Sequence, residues 1–159
     1  MRIRIACVGR LKEAFFRDAL GEYQKRLSRY AQVEILEVPD EKAPERLSPA
    51  QRANVLEKEG ERLLSRIGEG DFVVALCIEG EMLSSQALAQ RLAAWMGQGN
   101  STITFVIGGS LGLSPGVCRR ADVKLSFSPL TFSHQIFRVM LLEQVYRAFK
   151  IIHNEPYHK

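Results

Sequence analysis

The chain has 159 residues, 46% of them hydrophobic and 25% charged, with 12 glycines and 6 prolines, which suits one domain with its own core and excludes a disordered or fibrous chain. No stretch reaches the roughly 20 consecutive apolar residues of a membrane span, and the three cysteines, Cys7, Cys77 and Cys118, form no CxxC pair, so neither a transmembrane protein nor a zinc or disulfide scaffold is expected. The net charge of +4 is unevenly placed: residues 1–109 balance 15 basic against 15 acidic side chains, while 110–159 carry seven against three, the footprint of a polyanionic partner or of one solvated helix face.

Arg2 to Val8 alternates with period two and predicts a strand, not a signal peptide, which places the protein in the cytoplasm. Gly9 breaks the run, and Phe16, Leu20, Tyr23, Leu27 and Tyr30 then recur at helical spacing. Val33 to Val38 reads as a second strand and Pro39 to Pro49 as a polar loop. Ser48-Pro49-Ala50-Gln51 joins an N-cap serine, a first-turn proline and a capping-box glutamine, and Ala53, Leu56, Gly60, Leu63 and Ile67 follow as the expected buried face. Asp71 to Ile78 is nearly all apolar, as in a strand buried on both faces of a parallel sheet, and Glu79-Gly80-Glu81 is read as its end. A third helix starts at Leu83-Ser84-Ser85 and carries Leu88, Leu92 and Trp95. Another buried run, Ile103 to Ile107, leads through Gly108-Gly109 to a short helix capped by Ser114-Pro115. The strand Val123 to Phe127, a loop and a long helix to about Ile152 complete the chain.

Such alternation predicts a single α/β domain over 1–159, built on a mostly parallel sheet with helices on both faces. Ligands of such sheets bind beyond the carboxyl ends of the strands, here the loops at Glu79-Gly80, Gly108 to Leu113 and Ser128 to His134. Gly108-Gly109-Ser110-Leu111-Gly112 allows close backbone approach, but it is not a G-x-G-x-x-G dinucleotide fingerprint. The hydroxyls and phenylalanines of Ser126 to His134 suit a neutral, partly aromatic cofactor; helix capping with His134 as a surface residue is the plainer reading, and the residues leave both open. The tail, His153 to Lys159, is equally open between a frayed end and a base-stacking, phosphate-binding segment. The last helix is apolar nearly all round at its start, more than one sheet face needs, which a subunit interface would explain.

The ordered set Phe105-Val106-Ile107-Gly108-Gly109-Ser110-x-Gly112-Leu113, Leu125-Ser126-Phe127-Ser128, Thr131-Phe132-x-His134-Gln135 with Arg138, Glu143 to Ala148, and Pro156-Tyr157-His158-Lys159 resembles the RlmH family, over essentially the whole chain. The resemblance implies a small SPOUT-type methyltransferase with a deep C-terminal trefoil knot, an exception to the rule that chains stay unknotted. It implies a homodimer that uses S-adenosylmethionine to methylate N3 of a pseudouridine in a hairpin loop of 23S ribosomal RNA on the assembled ribosome, with no metal and no membrane. Carried over by motif, the cofactor pocket would use Leu76, Gly108, Phe127, Ser128, Pro129, Leu130, Thr131 and Phe132. His134 and His158 are candidates to take the N3 proton, Arg138 to stabilise an oxyanion on the base, and Tyr157, His158 and Lys159 to reach the loop nucleotide, with the other subunit as one source of that reach. Cys77 stands where many relatives carry an acid and Ser133 where proline is usual, so a side-chain contact from residue 77 is not carried over.

Overall fold

In a computed structural model describing residues 1–159, five parallel strands lie in the order β2-β1-β4-β3-β5. They are β1 (Arg2–Val8), β2 (Gln32–Val38), β3 (Phe72–Met82), β4 (Thr102–Ile107) and β5 (Val123–Ser126), and each is followed by a helix: α1 (Ala14–Leu27), α2 (Pro49–Leu64), α3 (Ser85–Gly97), α4 (Pro115–Arg120) and α5 (His134–Ile152). The alternation of β1 divides the core. Ile3, Ile5 and Cys7 face one side, packing with Leu20 and Leu27 of α1, Leu88 and Leu92 of α3, and Leu141, Leu142 and Val145 of α5. Ala6 and Val8 face the other, against Leu63 of α2 and Val117 of α4. β4, at the centre, is buried throughout, as its unbroken apolar run predicts.

Small polar residues set where the helices begin. The Gln51 N–H donates to Ser48 Oγ while Ser48 N–H donates to the Gln51 side chain, a complete capping box. Ser84, Ser114 and Ser133 accept in the same way from Ala87, Val117 and Ile136.

Four expectations need correction. The first helix stops at Leu27, and Tyr30 lies in the turn beyond it, its N–H donating to Leu27 O. The buried face of α2 is Val55, Glu59, Gly60 and Leu63, with Ala53 exposed, because this helix packs against α4 and the Gly109 turn. β5 ends at Ser126, one residue early. β3 does not end at Glu79: it loops out over four residues and resumes, so that Leu125 pairs first with Leu76 and again with Glu81. Gly80 permits this, since a Cβ there would come within 2.6 Å of Leu125 N and 2.7 Å of its Cα.

No helix is long and apolar enough to cross a membrane.

Candidate active site

β5 is an edge strand, yet the first residue of α5 lies over β1, with two strands between them: a Cβ placed on Gly9, just past β1, would stand 3.4 Å from His134 Nε2. Residues 127–133 must therefore cross the carboxyl ends of β3 and β4. They roof a cavity of about 660 Å³ whose floor is the strand ends Leu76 and Ile107 and the glycine turn Gly108 to Gly112. All three segments singled out from the sequence meet there.

Of the carried-over cofactor residues, Leu76, Gly108, Phe127, Ser128, Leu130, Thr131 and Phe132 line this cavity; Pro129 does not and points outward. The roof is braced from within. Ser126 Oγ donates to Ser128 O, and Leu130 N–H donates to Ser128 Oγ at 3.0 Å. Phe137 sits behind it, edge-on to Phe127 at 5.0 Å and stacked with Phe132 at 6.3 Å. Gly108 is needed for close approach, because any Cβ would collide with the carbonyl of Gly112. The walls hold one carboxylate, Glu79, and no lysine or arginine, so the polar contacts on offer are backbone groups and the hydroxyls of Ser110, Ser128 and Thr131. Such a wall suits a neutral or cationic ligand and offers a phosphate no cationic partner.

His134 is in the wall of this cavity, half-buried. Burial first, then the charge of Arg138, hold its imidazole below the usual histidine range, against a smaller upward pull from Asp40. The ring is thus neutral near pH 7, able to accept a proton.

Arg138 is a correction. An arginine meant to touch an oxyanion on a substrate needs surface to offer, and this one is 0% exposed, with Nη2 donating to Val8 O at 2.8 Å and Gly9 O at 2.9 Å. It acts on the protein's own backbone.

The tail is ordered. Glu155 accepts from Lys150 and from the Tyr30 hydroxyl, both at 2.6 Å, and those contacts pull its carboxyl down to about 2. Tyr157 lies edge-on to Tyr146 at 4.9 Å, donates to Glu143 Oε1 at 3.1 Å and carries the Arg147 guanidinium over its ring at 4.6 Å. Burial, then Glu143, push its phenol up to about 12. His158 Nδ1 lies 3.4 Å from Arg147 Nη1. The helical rise places Glu143, and with it the tail, about 13 Å along α5 from His134. Within one chain, therefore, Tyr157 and His158 do not line the cavity that holds His134.

Sequence reading missed two contributors. Glu59, 5% exposed on α2, accepts from Glu41 N–H at 3.0 Å and lies against Gly109, where an added Cβ would stand 3.0 Å from its Oε1. It ties the Pro39–Glu41 segment to the back of the glycine turn, and burial raises its pKa. Cys118, from α4, faces the same cavity as Cys77. Neither carries a motif; only the packing of α2 and α4 reveals them. Cys7, by contrast, is the small buried hydrophobe its strand predicts, its thiol pushed up to about 11 by burial. Cys77 is only partly buried, on the cavity wall.

Comparison with known proteins gives a consistent result. Residues 1–158 match the family model described as "Predicted SPOUT methyltransferase". The chain is 58% identical, over all 159 residues of both, to the ribosomal RNA large subunit methyltransferase H of Bifidobacterium animalis subsp. lactis. It is 54% identical over the same full span to the protein of that name from Alkaliphilus oremlandii, and 52% identical to ribosomal RNA large subunit methyltransferase H 1 of Clostridium perfringens.

Proposed function

The chain belongs to the SPOUT methyltransferase family, and on that footing we propose that it transfers a methyl group from S-adenosylmethionine to N3 of a pseudouridine in a hairpin loop of 23S ribosomal RNA on the assembled ribosome. The observation that carries this reading is the convergence of the three strand-end segments on one cavity with His134 in its wall. The reading takes the whole chain as one cytoplasmic domain and includes the C-terminal trefoil knot that the family resemblance implies.

The cavity fits the cofactor. Its volume is in the usual range for a ligand of this size, and its walls combine backbone acceptors and donors with the phenyl rings of Phe127, Phe132 and Phe137. A sulfonium cation would meet the Glu79 carboxylate and these aromatic faces in place of a repelling charge. Leu76, Gly108 and the 127–132 roof would hold adenine and ribose. When bound, the cofactor supplies a methyl group on sulfur that transfers by in-line displacement.

The remaining work falls to this chain's residues. Most of the acceleration comes from holding the base edge against the roof in line with the methyl group. N3 of the uracil ring must lose its proton, and His134, neutral for the reasons given, accepts it through its imidazole. Tyr157 and His158 stand too far along α5 to share that base within one chain, so the reading assigns them to the cavity of a second subunit. A groove of about 560 Å³ beside α5 supports the pairing: it runs along Phe132, Ile136, Val139 and Met140, and shares Phe127 with the cofactor cavity. Ile136 is 42% exposed there, a cost that burial in a homodimer removes.

The test is methyl transfer from labelled S-adenosylmethionine to intact ribosomes, to free 23S RNA and to ribosomes lacking the loop pseudouridines. Incorporation only into pseudouridylated ribosomes is expected. Equal incorporation into free RNA or into unmodified ribosomes would overturn the substrate assignment, and none anywhere would overturn the activity. A monomer in sedimentation would overturn the shared site.

A further inference from the structure

Arg138 is the largest side chain that the fold buries completely, and its surroundings give it only part of what a guanidinium requires. Nη2 is satisfied by the carbonyls of Val8 and Gly9. Nη1 stands 3.7 Å from Glu37 Oε1, beyond hydrogen-bond reach, and neither Nη1 nor Nε has a partner. A methionine of similar length would fill the space at less cost in desolvation, so filling space does not account for this residue. Its placement does. His134 is one turn earlier on the same face of α5, and both side chains converge on Gly9: a Cβ there would stand 3.4 Å from His134 Nε2 and 3.9 Å from Arg138 Nη2. Gly9 holds φ +86°, a backbone setting that side-chain-bearing residues rarely adopt, and its N–H donates to Val38 O, so the turn is anchored to β2 as well.

We propose that Arg138 is a positioning residue: it pegs the end of β1 to the second turn of α5, holds the His134 imidazole over Gly9 at the cavity wall, and presents a fixed positive charge to that ring. The charged groups that bear on the imidazole are Arg138 from its own helix and Asp40 from the segment after β2; Glu37 of β2 stands beside Arg138. The peg is a property of the fold; only its consequence for turnover rests on the methyl-transfer reading.

Two substitutions separate its geometry from its charge. R138K keeps the charge but loses the planar fork that spans two carbonyls; R138M removes the charge at similar volume. The chain has three histidines, His134, His153 and His158, so proton–carbon spectra of the imidazoles, assigned with H134Q, can follow His134 through a pH titration without any assay of activity. In R138M the His134 midpoint is expected to rise by roughly half a unit to one unit, and in R138K to stay near that of the unaltered protein. Turnover in R138M is expected to fall by about 10- to 100-fold with KM for the cofactor nearly constant, the pattern of an interaction made in the transition state. A merely structural role would lower the melting temperature of both variants and leave the titration in place, so a folded R138M with an unchanged His134 midpoint overturns the proposal. Should R138M not fold, R138Q makes the same test while keeping a hydrogen-bond donor: its His134 midpoint should also rise, and no movement overturns the proposal. If the unaltered protein methylates nothing, the functional reading fails and the titration still decides the peg.

Discussion

The two ends of the sheet are built on opposite principles. At the amino end the carboxylates are met by donors: Asp71 accepts from the Thr104 hydroxyl at 2.7 Å, from Gly68 N–H at 3.1 Å and from Arg4 at 3.2 Å, while Asp122 accepts from Val73 N–H at 2.7 Å. Arg120 adds donations to the carbonyls of Gly68 and Asp71. At the carboxyl end the chain uses glycine where side chains would collide, leaves a buried guanidinium with two nitrogens unpartnered, and opens a cavity. The amino end is closed and holds the strands in register; the carboxyl end spends stability on a site. That division is what the carboxyl-end rule for parallel sheets looks like in hydrogen bonds.

The comparison can be broken at either end. The largest effect is expected from Gly108→Ala, whose Cβ meets the Gly112 carbonyl. The turn must open, and calorimetry should show cofactor affinity lowered by about 100-fold or more, with far less change in the urea midpoint. Asp71→Ala should do the reverse. It orphans the Thr104 hydroxyl, the Gly68 N–H and the Arg4 guanidinium together, and urea denaturation should show a loss of about 3 kcal/mol, with cofactor affinity of the folded fraction unchanged. Ser48→Ala, which removes only the α2 cap, should cost about 1 kcal/mol by the same measurement.

The smallest effect concerns the tail. Glu155 titrates at about 2 in the folded protein against a reference of 4.5. Because the folded value is the lower one, its contribution to docking is complete above about pH 4.5 and is lost as the pH falls toward 2. The tyrosine signals of Tyr30 and Tyr157 should move together over that interval, and tail signals that stay put would show that docking does not depend on Glu155.

The scaffold was legible in the sequence. Period-two alternation marks β1, unbroken apolar runs mark β3 and β4, and four serines mark where α2 to α5 begin, because each of these signals is local. The three site segments were legible for the same reason, as small, hydroxyl-bearing or glycine-rich runs after buried strands. What escaped depends on partners distant in sequence. The resumption of β3 at Glu81 exists only because Leu125 pairs twice. The order of the tail rests on Tyr30 and Glu155, 125 positions apart. Arg138 reads as a free cation on a helix until the carbonyls of Val8 and Gly9 are placed beside it.

The most direct test of the division between the two ends is amide hydrogen exchange with and without S-adenosylhomocysteine. Binding should slow exchange in 76–80, 108–113 and 127–134 and leave 68–72 and 119–122 unchanged. Protection that appears at the amino end, or none at the carboxyl end under saturating ligand, would contradict the account.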